Sequence, residues 1–110
     1  MKQIPISKPY FDKKEAKELI DTLQSGWVMQ GPKVEMFERE FARYTGSKYA
    51  IATSSGTTAL HLALEASGVG NNDEVITTAF SFIATANSIL YCGAHPVFCD
   101  IDLKTYNLDP

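Results

Sequence analysis

The stretch Ile51-Ala52-Thr53-Ser54-Ser55-Gly56-Thr57-Thr58-Ala59-Leu60 constrains this chain more than any other. A short apolar run breaks at two serines and a glycine, and an alanine- and leucine-rich segment follows. That pattern predicts a strand, a tight turn and a helix. The first N–H groups of a helix have no partner inside it, and the helix dipole adds partial positive charge there. Carboxylates commonly answer that charge. Here the first turn holds Gly56, Thr57, Thr58 and Ala59, and no carboxylate comes before Glu65. The chain's other two clear helix starts differ. One carries Asp12 and Glu15 at capping-box spacing, and the other carries Glu35 one turn in behind Pro32. The bare start after Ser55 therefore offers free donors and two hydroxyls to an external anion, which is what a phosphate site needs. A plainer alternative stands beside this one: Ser55 is a good N-cap, and Ser-Ser-Gly is a turn sequence in its own right. The segment is neither a Walker loop nor a Gly-x-Gly-x-x-Gly dinucleotide turn.

Around this element the periodicity predicts an α/β chain. Helices are expected near 12–25, 32–45, 56–67 and 82–92, and strands near 49–53, 74–78 and 96–99. Strands separated by helices of this length imply a mostly parallel sheet. Ala16, Leu19, Ile20 and Leu23 form one stripe on the first helix. Val34, Phe37, Phe41 and Tyr44 form another on the second. The helix from Gly56 is apolar nearly all round, so burial on more than one side is expected. Three parallel strands leave exposed edges and uncovered faces. The chain is therefore expected to be the front part of a larger protein and, when alone, to be poorly stable or to self-associate.

The composition excludes several classes. With 110 residues and a net charge of -3, the chain has no basic stripe for nucleic acid. No apolar run reaches the length of a membrane span, and the N-terminus lacks the apolar core of a signal peptide. A cytoplasmic protein is expected. Cys92 and Cys99 stand seven apart with no CxxC and no clustered histidines, so free thiols are expected and no metal site. His61 and His95 read as structural histidines.

Several segments in order carry a resemblance. Gly26-Trp27 is followed by Gly31-Pro32-x-Val34-x-x-Phe37-Glu38, and then by Ser54-Ser55-Gly56-Thr57-x-Ala59-Leu60. Next come Asp73-Glu74-Val75-Ile76-Thr77 and Phe82-x-Ala84-Thr85-Ala86-Asn87. The series ends with Gly93-Ala94-x-Pro96-Val97-Phe98-x-Asp100-Ile101-Asp102 and Tyr106-Asn107. From about Ile4 to Pro110 the chain resembles the DegT/DnrJ/StrS family of pyridoxal-phosphate-dependent sugar aminotransferases. Thr78 stands where the family commonly has proline, and Asn71-Asn72 where it often has Pro-Gly. Both are loop changes.

The resemblance implies part of the large domain of a fold type I, aspartate aminotransferase-like transferase, truncated, with a mostly parallel sheet and helices on both faces. Residues 1–48 would be an N-terminal helical segment, and 49–110 the first part of the pyridoxal-phosphate-binding large domain. Ser55, Gly56, Thr57 and Thr58 would hold the cofactor phosphate, and Phe82 would stack on the pyridine ring. On local grounds Phe80 competes for that stacking role, and the family register favours Phe82. Trp27 would approach the sugar site. The implied reaction transfers an amino group, from glutamate, to a nucleotide-linked keto-sugar in polysaccharide or antibiotic-sugar biosynthesis, in a homodimer. The family's Schiff-base lysine, and the aspartate that pairs with the pyridine nitrogen, lie beyond the phosphate turn. None of the eight lysines matches that position. No catalytic residue is therefore expected within the chain, which alone should be inactive. Three alternatives stay open. One is the family's sugar dehydratase branch, in which histidine replaces the lysine. Another is an inactive truncated remnant. The third is a nucleotide-binding regulatory module resting on the phosphate turn, which lacks an acidic residue placed for a ribose.

Overall fold

Capping residues set the ends of the first two helices. In the computed structural model, which describes residues 4–110, α1 (Lys13–Ser25) begins where the Asp12 carboxylate accepts the Lys14 N–H at 2.6 Å. The Asp12 N–H in turn donates to the Glu15 carboxylate at 2.7 Å, closing the box. Gly26, in the left-handed region that only glycine adopts cheaply, ends the helix. Pro32 opens α2 (Pro32–Thr45), and Gly46 closes it in the same way. Lys33 pairs with Glu18, tying α2 to α1. Both groups are well exposed, so this link adds little stability. The apolar stripes predicted for these helices are present, but Leu19, Ile20, Leu23, Phe37 and Phe41 all remain exposed, and Ala42 is buried.

The chain divides into two units, Met1–Ile51 and Ala52–Pro110. The second unit holds α3 (Gly56–Ala66), β1 (Glu74–Thr78), α4 (Ala84–Tyr91) and β2 (His95–Cys99). The two strands pair in parallel, from Glu74 opposite His95 to Thr78 opposite Cys99, with α4 as the crossover between them. A parallel pair needs such a crossover, because a hairpin turn cannot reverse the chain twice. The core of this unit is small: Thr77, Ala84, Ser88, Ile89, Cys92 and Ala94 are buried. After β2, Ile101 and Leu108 form an antiparallel bridge around a turn. The Asp102 carboxylate holds that turn by accepting the N–H groups of Lys104 and Thr105. Those donors, Thr105 above all, hold its carboxyl below the usual carboxylate range.

The α/β reading and the parallel pairing are confirmed, and three expectations need correction. Residues 49–53 form no strand; the described sheet consists of β1 and β2. An apolar run becomes a strand only where a neighbour supplies the ladder, so its pattern states a capacity rather than a pairing. Helix α3 packs on α4 but contributes no buried residue, and Leu60 and Leu62 are exposed. Composition sets what surface a helix offers, and only neighbours bury it. The last predicted helix starts two residues later than expected, at Ala84, which leaves Phe82 ahead of its first turn. No helix among the described residues is long and apolar enough to cross a membrane.

Candidate functional site

The start of α3 is capped without any charged group. The Ser55 hydroxyl accepts the Thr58 N–H at 3.2 Å, and the Ser55 N–H donates to the Thr58 hydroxyl oxygen at 3.0 Å. This is a capping box with threonine where glutamate or glutamine is usual. The Thr58 hydroxyl also donates to the Ser55 carbonyl at 2.8 Å, which accepts the Thr53 hydroxyl at 2.9 Å and the Ala59 N–H at 3.0 Å. Ser55 and Thr58 are therefore occupied in holding the turn. The N–H groups of Gly56 and Thr57 and the Thr57 hydroxyl have no partner among the described hydrogen bonds. The sequence offers both threonine hydroxyls to an anion, whereas the structure leaves that of Thr57. The Ser-x-x-Thr spacing was the available signal for this division.

The two unpartnered N–H groups open onto a groove of about 530 Å³ lined by Gly56, Thr57, Ala59, Leu60, Phe82, Ala84 and Thr85. That volume falls in the range of small-molecule sites, about 300–1,000 Å³. Phe82 is 76% exposed and borders this groove. Phe80 is engaged elsewhere: its ring stacks on that of Tyr106 with centroids 5.7 Å apart. The two rings thus stand in different surroundings, Phe80 against Tyr106 and Phe82 at the groove. None of the groove residues is titratable, so what they offer is donors, a flat apolar surface and a positive helix end.

A Cβ at Gly56 would meet nothing within 4 Å. Glycine in the middle of a helix costs roughly 0.5–1 kcal/mol relative to alanine, but Gly56 stands at the first helical position, where that cost is smaller. Within the described residues no neighbour excludes a side chain here.

Trp27 belongs to the first unit and is fixed by its own loop. Its indole N–H donates to the Gln30 carbonyl at 2.9 Å, and its backbone N–H donates to the Ser25 hydroxyl at 3.1 Å. Any side chain at Gly31 would collide with the indole ring. Trp27, Val28, Met29 and Pro32 line a separate, largely apolar groove of about 460 Å³ within this unit.

Comparison with known proteins places these features in a family context. The model of the DegT/DnrJ/EryC1/StrS aminotransferase family matches residues 9–110. The chain is 52% identical over 107 residues to the spore coat polysaccharide biosynthesis protein SpsC of Bacillus subtilis, covering 97% of this chain and 28% of that protein. It is 45% identical over 108 residues to GDP-perosamine synthase of Caulobacter vibrioides, covering 97% of this chain and 29% of that one. Among solved structures, a Streptococcus pneumoniae protein assigned as a sugar aminotransferase, in its PLP form, superposes with a TM-score of 0.90 at 40% identity. The match covers 96% of this chain and 27% of that one. The chain thus spans between a quarter and a third of the length of these relatives.

Proposed function

The chain belongs to the DegT/DnrJ/EryC1/StrS aminotransferase family, and on that premise we propose that it supplies the phosphate end of a pyridoxal 5′-phosphate site in a sugar aminotransferase. The observation that carries this reading is the start of α3. Its cap is complete and uncharged, yet two N–H groups and one hydroxyl stay unpartnered at the mouth of a groove that Phe82 borders. The groove fits the cofactor in donor chemistry and in size. A phosphate at this end gains from the N–H groups and from the helix dipole together.

Each residue has a distinct task in this proposal. Gly56 and Thr57 bind the phosphate through their N–H groups, and Thr57 adds its hydroxyl. Ser55 and Thr58 act by holding the turn in shape. Phe82 offers its face to the pyridine ring and excludes water from one side of it. Bound there, the cofactor supplies the electron sink that lets an amino group pass between a donor and a keto acceptor. The groove residues orient it; none can hold or move the reacting proton, which falls to groups outside the groove.

The acceptor we propose is a nucleotide-linked keto-sugar, and the donor glutamate. The name of the Caulobacter relative, GDP-perosamine synthase, supports a nucleotide-linked amino sugar. That of the Bacillus relative supports polysaccharide biosynthesis. Trp27, rigid and 59% exposed, is proposed to contact the sugar. In this reading residues 1–48 are the N-terminal segment that carries α1 and α2, and 49–110 begin the cofactor-binding domain of a cytoplasmic homodimer.

The test is an amino-transfer assay on the protein at the full length of its family. With cofactor, glutamate and a panel of nucleotide-linked keto-sugars, one sugar should drive formation of 2-oxoglutarate. Failure of every sugar in a protein that demonstrably holds the cofactor would refute the assigned reaction.

A further inference from the structure

The packing of α3 on α4 assembles three metal-ligating side chains that the cofactor reading does not use. His61 and Glu65 stand one turn apart on α3 and so share a face. Cys92 follows the last turn of α4. A histidine nitrogen, a carboxylate oxygen and the cysteine sulfur all lie within 4.8 Å of one another. None of the three residues lines the groove beside Phe82.

We propose that His61, Glu65 and Cys92 form a binding site for a thiophilic divalent cation, with Zn²⁺ as the representative ion. The first reason is the state of His61. Its Nε2 is shut off from solvent and has no hydrogen-bond partner, the Glu65 carboxylate standing 3.5 Å away. Buried polar atoms in folded proteins are nearly always partnered, and an unpartnered imidazole nitrogen facing a carboxylate and a sulfur is placed as a ligand. The second reason is the donor set. Nitrogen, sulfur and carboxylate oxygen together suit zinc, and the soft sulfur disfavours magnesium and calcium. Three protein ligands leave a fourth position for water.

The arrangement also provides access and charge balance. Cys92 is buried while Glu65 is exposed, so the cation has an entry side and an inner seat. Ligands around zinc sit about 3.3–3.8 Å from one another at ordinary bond lengths. The separations here, all under 4.8 Å, close to that range by side-chain adjustment. On binding, the cation takes the place of the Cys92 thiol proton, which leaves to solvent. The Ser88 carbonyl, which accepts that S–H at 3.3 Å, loses its donor. Thiolate and carboxylate then balance the two positive charges, and His61 binds neutral. Cysteine spacing alone gives no hint of this site, because Cys99 is not part of it. The signal lay in the His61–Glu65 spacing and needed the helix packing to complete it.

Cobalt titration of the full-length protein under reducing conditions tests the proposal. One equivalent of Co²⁺ should produce a thiolate-to-metal charge-transfer band that Zn²⁺ abolishes. Cys92→Ser should remove the band and weaken Zn²⁺ binding about a hundredfold or more, while Cys99→Ser should leave both unchanged. Glu65→Gln changes an exposed residue, so the fold should tolerate it, and it should weaken binding about tenfold with the band retained. A parent protein without the band, or a Glu65→Gln variant that binds Zn²⁺ as tightly as the parent, would overturn it.

Discussion

The starts of α1 and α3 solve the same problem with opposite chemistry. Both close a capping box between the N-cap and the residue three further on. At α1 the two side chains are Asp12 and Glu15, so carboxylates take the Lys14 and Asp12 N–H groups and offset the helix dipole. At α3 they are Ser55 and Thr58, which shape the same turn with no net charge. The Asp102 turn belongs with α1, since its carboxylate takes the N–H groups of Lys104 and Thr105. The lesson is that capping and charge compensation are separable. A chain that needs only a stable helix start can use acids for both. The α3 start is capped but uncompensated, which suits a turn whose countercharge arrives as a ligand.

The comparison is broken most severely by putting a carboxylate directly on the free donors. Thr57→Glu removes the one unpartnered hydroxyl and adds a negative charge where the phosphate would sit. Loss of a charge-assisted hydrogen bond together with repulsion should cost at least about 3 kcal/mol, roughly two orders of magnitude or more in cofactor affinity. Cofactor titration of the full-length protein reads this directly. Phe82→Ala should cost less, about tenfold, because the phosphate contacts remain while the ring loses its platform. A phosphate-only probe such as inorganic phosphate should bind this variant unchanged. Thr57→Ala should cost less than Thr57→Glu, about tenfold, since its N–H stays in place.

The smallest effect sharpens the comparison from the acidic side. Asp102 titrates below its usual range in the folded chain, so its contribution is present above the ordinary carboxylate pKa and is lost as pH falls through the lowered folded value. Acid should therefore loosen the turn around Tyr106, seen as loss of the Phe80–Tyr106 ring-current shift in NMR. The α3 box contains no titratable group, and its amide shifts should stay fixed through the same pH range.

Local chemistry made much of this legible in advance. Asp12, Gly26, Pro32, Gly46 and Ser55 each mark a helix boundary that the structure reproduces, because caps act within a few residues. The β1–α4–β2 unit was readable for a related reason: its apolar runs and the helix between them are consecutive. What failed depended on neighbours. The run at 49–53 has strand composition, but a strand needs a partner to its ladder, and sequence carries no record of one. The exposure of α3 is the same lesson, since apolar residues do not bury themselves. In the groove, Gly56, Thr57 and Phe82 were readable as candidates. That Phe80 stacks on Tyr106 while Phe82 borders the groove depends on the turn after β2, which local sequence does not display. For Thr58 the sequence shows a hydroxyl beside the turn but not which way it points. The structure turns it inward onto Ser55.

Thr58→Glu tests the central claim most directly, because it converts the α3 start into the α1 kind while keeping its cap. Glutamate is the usual partner of serine at this spacing, so the box should still close and the thermal midpoint should not fall. The carboxylate should nevertheless occupy the field that the phosphate needs. In the full-length protein, pyridoxal 5′-phosphate affinity should drop about a hundredfold with stability retained. A Thr58→Glu variant that is equally stable and binds the cofactor as tightly as the parent would show that the uncharged box at α3 is a helix cap and nothing more.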